Sequence, residues 1–540
     1  MRHLRSFLFI FSFFYILFFS QCIPFFFDDH EFNRSYIQTS YVELFKQLVS
    51  LSSGGISGGP QQVYGIFFRF LFPFFGFEYC SYRIAKALIF SSLVVLLFTL
   101  ADVFFRNWKV SLTYTLIITV NFPFYIHTLV YDGPHIIAEF FKVMAILFFL
   151  KDIREEKTSL KRQGLIFLCA LLAIRTYMPA YSIAMILPLT TLFFHPRLLR
   201  RYLFLFFFII LIQFPIGLDL SNLNTKSSSE YAPHFVNMRH AFLNDFWHVI
   251  SNPFPNHHDL YYKSIPNILT FFGFWLLVIA GTTLIVIKVI RNSKDMNKKY
   301  NPFENDKWHL LIALTLGWIL SELPTYVFLP EHAIRYSFTF FVPFTLLSTA
   351  LVVRFSYTIS EKYQKVIIAV ILLFVIGIIV TNVFYTYSFR AGWGSSFIGF
   401  EKVMDFFAAL QRNGTISVVY QAGSVAEEYK YVNKTSKEYS FSRGIEYKKT
   451  AGLNEFRKEN LENISQQYSQ VFVLKRITSV SKTAYPPLPL EESSLFDLIT
   501  TIEGIDERTW FDWFNIKVMN VLNISYTPNK INVYEYISFK

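Results

Sequence analysis

Apolar runs of about twenty residues recur along this chain, and they restrict its fold more than any other feature. A helix of that length matches the hydrocarbon thickness of a bilayer. Because unpaired backbone groups are costly there, helices are the economical way to cross it. The composition agrees: of 540 residues, 53% are hydrophobic and 16% charged, against about 25% charged in a soluble domain. Mean hydropathy is +0.36. The expected fold class is a polytopic α-helical membrane protein with about eleven transmembrane helices and a C-terminal α/β extracytoplasmic domain. The 65 phenylalanines suit a lipid environment and point to no particular chemistry. The formal charge of +12 sits largely in short loops between the runs, as the positive-inside rule requires. No nucleic-acid partner is needed to explain it.

The spans are expected at about 7–27, 84–105, 110–129, 136–150, 163–175, 178–194, 202–218, 265–290 and 308–328, then up to 353, and at 366–385. Arg2 and Arg5 precede the first span, which places the N-terminus in the cytoplasm. A cleaved signal peptide with Cys22 as a lipobox-like cysteine is the other reading, but the run is longer than an ordinary signal core and Gln21 is bulky for cleavage. The Lys/Arg-rich connections 151–162, 195–201, 291–307 and 354–365 then all fall inside. The first outer loop is 28–82 and contains SSGGISGGP (Ser52–Pro60) and the aromatic stretch Phe67–Phe77. The latter is too short and broken to span and suits an interfacial or re-entrant segment. A second long outer loop is 219–264. Its five histidines, His234, His240, His248, His257 and His258, lack metal-site spacing and read as solvated.

Residues 1–387 form the transmembrane domain in this reading. From 388 to 540 the composition turns polar and no run is long enough to span. Thr415–Gln421, Gln470–Lys475 and Ile531–Ile537 read as strands, and Phe400–Leu410 and Leu453–Gln467 as helices. Sequons at Asn33, Asn413, Asn433, Asn463 and Asn523 all fall on the expected outer side. They matter only in a compartment that glycosylates. The three cysteines, Cys22, Cys80 and Cys169, form no CxxC pair or zinc pattern. Cys22 and Cys80 are expected near the outer face, where they pair or remain free buried thiols.

Three polar features stand at the outer ends of the spans. The first is Asp28, Asp29 and Glu31, directly after more than twenty mostly apolar residues. Carboxylates at the edge of a hydrocarbon slab are costly, and such a position is a functional candidate by default. The second is the turn Asp132, His135, Glu139. The third is Glu331, His332, Arg335. A carboxylate can take a proton from an acceptor hydroxyl or bind a hard cation. An arginine at the membrane edge suits a lipid phosphate. Each feature also has a plainer reading: Asp28 and Asp29 as a helix end in water, Asp132 as a turn former, Arg335 as a snorkelling residue.

The layout resembles the GT-C superfamily of integral-membrane glycosyltransferases. The residues that carry the resemblance are Asp28-Asp29 after the first span, GGISGGP (Gly54–Pro60), FLFPFFGF (Phe70–Phe77), the acidic turn at Asp132, and RYSFTFFVPFTLLSTALV (Arg335–Val352). The oligosaccharyltransferase branch carries WWDYG, whereas Trp510–Phe514 reads WFDWF without the glycine, so that branch is disfavoured. DDHE in place of DE followed by tyrosine also departs from the protein-mannosyl and aminoarabinose branches and counts against assigning the chain to either. The resemblance implies transfer of a sugar from a polyprenyl-phosphate carrier to a glycan, lipid or protein acceptor. The setting would be the outer side of a membrane, here a bacterial inner membrane with a periplasmic C-terminal domain. It implies Asp29 or Asp28 as general base, Asp132, Glu31 and His135 in acceptor or cation positioning, and Arg335 on the carrier phosphate. A divalent cation, magnesium or manganese, stays open. Two readings stand beside it: a transporter or flippase of lipid-linked sugars, and a non-catalytic envelope-assembly protein.

Overall fold

The computed structural model describes residues 2–20, 79–120, 133–155, 159–176, 182–204, 305–328, 338–356, 417–422, 445–450, 458–468, 470–477, 496–503 and 530–536. It also describes single residues at 40–42, 46, 63, 66, 67, 70, 180, 207, 376, 402, 403, 406 and 517. These residues are mostly helical. They fall into two compact units, one of helices and one built on a sheet.

The helical unit contains α1 (Arg2–Ser20), α2 (Tyr79–Phe105), α3 (Trp108–Val120), α4 (Gly133–Glu155), α5 (Leu160–Thr176) and α6 (Ser182–Phe194). After a 3-10 turn, Pro196–Leu198, come α7 (Asn305–Phe328) and α8 (Phe338–Ser356). Each of these helices falls on an apolar run marked in the sequence. One, over Lys86–Phe105, is alone long and apolar enough to cross a membrane among the described residues, with a mean hydropathy of 2.4. The expected spans at 202–218, 265–290 and 366–385 lie mostly outside the described residues, as do Cys22, the first outer loop and the loop 219–264. Cys169 is buried in α5 and makes no disulfide.

Packing follows the chain. α4 lies against α5, α6 against α7, α7 against α8, and α8 against α3. Ala138, Ala173 and Ala180 form a small-residue contact with Phe141 packed on it, which lets the α4 and α5 backbones approach. Arg354 sits over the Trp308 ring at 4.4 Å and clasps the far ends of α7 and α8. Buried hydroxyls fold back on their own helices: Ser91 donates to Ala87 O at 2.6 Å, Thr115 to Ser111 O at 2.7 Å and Thr190 to Ile186 O at 2.7 Å. That is how a hydroxyl is satisfied where no water reaches it. Outward-facing side chains are often large and apolar, among them Phe7, Phe11 and Phe14 on α1 and Leu316 and Leu320 on α7.

α2 and α3 are joined by two residues. Arg106 takes a left-handed conformation (φ 48°), and its N–H donates to Asp102 O at 3.1 Å, closing α2. Asn107 caps α3, its Oδ1 accepting from the Lys109 N–H at 3.1 Å. Asn107→Ala is expected to cost about 1 kcal/mol, read as a lower thermal midpoint of the purified protein.

The second unit carries a five-stranded mixed sheet in the order β2-β1-β3-β5-β4. The strands are β1 (Ser417–Ala422), β2 (Ile445–Thr450), β3 (Gln470–Ile477), β4 (Phe496–Glu503) and β5 (Lys530–Tyr536), with α9 (Lys458–Gln467) leading into β3. β2, β1 and β3 run parallel; β5 is antiparallel to β3 and β4. Val471–Leu474 of the central β3 are buried on both faces, as a covered parallel strand must be. Three strands and the second half of the helix at 453–467 match the sequence expectation. β2 and β4 are additions to it. In the expected helix 400–410, Lys402, Val403 and Phe406 are helical. Burial, with the Glu462 carboxylate of α9 second, pushes the Tyr536 phenol up.

Candidate functional site

Charged side chains inside an apolar helical unit are where chemistry is sought first. Three are gathered here. Lys142 of α4 is fully buried, and its Nζ lies 2.6 Å from Glu139 Oε2 and 2.7 Å from Glu322 Oε1. Glu139 stands three residues before Lys142 on the same helix face, and Glu322 comes from α7. Glu322 Oε1 also accepts from Ser182 Oγ of α6 at 2.8 Å and from Trp318 Nε1 at 3.2 Å. The ammonium sits 5.5 Å from the Trp318 ring centroid. Glu322 therefore ties α7 to α4 through Lys142 and to α6 through Ser182. Arg175, at the end of α5, is buried as well.

The cluster occupies one end of the helices. Glu139 lies six residues into α4, Ser182 opens α6, and Glu322 lies six residues before the end of α7. His135, in the first turn of α4, is buried at the same end. Two acidic groups share one ammonium, a formal surplus of one negative charge. Glu139 Oε1 and Glu322 Oε2 are buried and accept no hydrogen bond. Buried acceptors of that kind are rare and are often functional. The arrangement can hold a proton, or offer two acceptor oxygens to a hydroxylated or cationic group.

Of the residues singled out in the sequence, His135 and Glu139 belong to this layer. Asp28, Asp29, Glu31, Asp132, Glu331, His332 and Arg335 lie outside the described residues. Lys142, Glu322, Ser182 and Trp318 were not singled out. The available signal was a Glu/Lys pair in one apolar run, Glu139 and Lys142, and a single charge in another, Glu322. Among the described residues no three His, Cys, Asp or Glu side chains stand together as metal ligands do.

A second polar cluster lies at the opposite end of α4. Asp152 is buried. It accepts from Tyr202 Oη at 2.9 Å, with Arg162 Nη1 at 3.5 Å and Arg201 Nη1 at 3.8 Å. Arg162 Nη1 also donates to Lys151 O at 3.2 Å. What reads in sequence as one basic loop is thus fastened to the next by a carboxylate.

The chain matches no protein-family model and no curated protein.

Proposed function

We propose that the chain is a multi-pass membrane glycosyltransferase that moves a sugar from a polyprenyl-phosphate carrier to an acceptor on the outer side of a bacterial inner membrane. The membrane setting is supported by outward apolar side chains combined with inward charges, the reverse of a soluble helical domain. The transferase reading is carried by the Lys142 cluster. It joins α4, the helix that directly follows Asp132 in the chain, to α7, which precedes Arg335 by a short connection. The helices next in sequence to Asp132 and to Arg335 therefore share one buried anchor. Sugar transfer from a lipid phosphate asks for a base at the acceptor hydroxyl and a cation at the departing phosphate. In this reading Asp29 or Asp28 is the base, Asp132, Glu31 and His135 position the acceptor or a cation, and Arg335 meets the phosphate.

The test is mass spectrometry of envelope lipids and glycans from three strains. One is deleted for the chain, one is complemented with wild type, and one with Asp28→Asn/Asp29→Asn. A sugar missing in the deletion and restored only by wild type is the expected result. Removing a general base typically slows transfer by about 10²–10⁴-fold, enough to mimic the deletion. Restoration by the double variant at equal protein level would overturn the assignment of that pair. A second reading, transport of lipid-linked sugars, is favoured by the same buried charges, since carriers also place them inside a bundle. That reading gains if the double variant restores the sugar.

A further inference from the structure

We propose that the arginine-rich connections at the Asp152 end of the helical unit form a binding site for the phosphate headgroup of an anionic phospholipid. The site is built, since Asp152 draws the 151–162 connection and the 195–201 connection together through Arg162, Arg201 and Tyr202. The carboxylate is already engaged by Tyr202 and both arginines, so it leaves the rest of the cluster unneutralised. Lys151, Lys161, Arg197 and Arg200 are exposed beside it. The two connections together hold eight basic residues against three acidic ones, Asp152, Glu155 and Glu156.

Arg201 adds an observation that points to a ligand. Its Nη1 is buried and makes no hydrogen bond, standing too far from Asp152 for one, while the side chain as a whole stays 34% exposed. A guanidinium in that state is held near Asp152 by charge rather than by a hydrogen bond, and the exposed part of the side chain stays open to an outside acceptor. Phosphate is its natural acceptor, taken in bidentate fashion.

The apolar surroundings select a lipid as the source of that phosphate. Leu160 is 86% exposed at the start of α5, Phe193 is 50% exposed at the end of α6, and Phe204 is 73% exposed just past Arg201. Large exposed apolar side chains flanking a basic cluster fit an amphiphile, headgroup on the arginines and acyl chains along the rings. A free phosphate would gain nothing from them. The site rests on the membrane reading above and lies on the side that the positive-inside rule makes cytoplasmic.

The test uses the full chain purified in detergent and reconstituted in nanodiscs of phosphatidylcholine, alone or mixed with phosphatidylglycerol. Native mass spectrometry counts retained lipid, and a titration of phosphatidylglycerol gives an affinity. The variant is Arg197→Gln/Arg200→Gln, which touches neither Asp152 nor Tyr202. Wild type is expected to retain phosphatidylglycerol over phosphatidylcholine, and the variant to bind it on the order of thirtyfold more weakly, each lost charge near a headgroup counting for about fivefold. Equal retention by the variant, or no preference between the lipids, would overturn the site. Competition by millimolar inorganic phosphate alone would overturn the lipid as ligand. Alkaline carbonate extraction of native membranes separates the two ideas. Release of the chain into the supernatant sinks the membrane reading itself, whereas retention in the pellet with no lipid preference sinks only this site.

Discussion

Lys142→Met is expected to destabilise the helical unit by about 3–5 kcal/mol, seen as a steep fall in the thermal midpoint in detergent and in yield. The whole stability of a domain is about 5–15 kcal/mol, so a change of this size brings the protein close to unfolding. The cause is specific. Lys142 Nζ is within 2.7 Å of two carboxylates that are themselves almost inaccessible. Its removal leaves Glu139 and Glu322 facing each other in an apolar interior with no counter-charge. Lost packing cannot account for such an effect, because methionine fills similar volume. The same physics predicts rescue. The triple variant Glu139→Met/Lys142→Met/Glu322→Gln removes the charges together, and such replacements are often neutral or stabilising. Glutamine is chosen at 322 because Ser182 Oγ and Trp318 Nε1 still need an acceptor there. The triple variant should recover most of the loss. If Lys142→Met melts with wild type, the three groups do not share a buried ion cluster.

That cluster marks the border of what the sequence reveals. The helices are legible because apolar runs report burial or lipid contact directly, and α1 to α8 fall where those runs lie. Lys142 and Glu322 interrupt two of the runs, so each flags itself. Their pairing does not, since 180 residues separate them and only packing decides which helix faces which. Asp152 was obscured for another reason. It sits among lysines and arginines, where an acidic residue reads as ordinary loop charge, yet α4 continues to Glu155 and carries it inside. In the sheet, the buried β3 announces itself by Val471–Leu474. β2 reads IEYKKT, too charged to stand out, and β4 breaks its alternation with an irregularity between Leu498 and Thr500. Edge strands carry such charges and bulges because they face water and must avoid pairing with other chains.

The contact between α6 and α7 is expected to tolerate no large side chain at Gly317. A Cβ at that position would lie 3.0 Å from Thr190 Oγ1, 3.1 Å from Thr190 N and 3.3 Å from Leu189 Cβ. Thr190 cannot swing away freely, because its hydroxyl is held by Ile186 O at 2.7 Å. Its backbone N cannot yield at all without moving α6. Alanine brings two opposed effects: up to about 1 kcal/mol gained in helix propensity, and a strain of similar size from the close contact. Gly317→Ala should therefore change stability little. Leucine keeps the propensity gain but adds three carbons where there is room for none, so overpacking of about 1–3 kcal/mol or more decides the sign. Relief comes by spreading α6 from α7, and that motion has a second consequence. The two helices are also joined by the Ser182–Glu322 hydrogen bond, five residues beyond Gly317 on α7. Spreading them lengthens that bond and takes the acceptor away from Ser182. Gly317→Leu and Ser182→Ala should then be markedly non-additive, since the first has already removed most of what the second deletes. Thermal midpoints of the two single variants and the double variant measure the coupling. Simple additivity would mean that the packing at Gly317 and the ion cluster are independent, and that the cluster holds its geometry without a close α6–α7 approach.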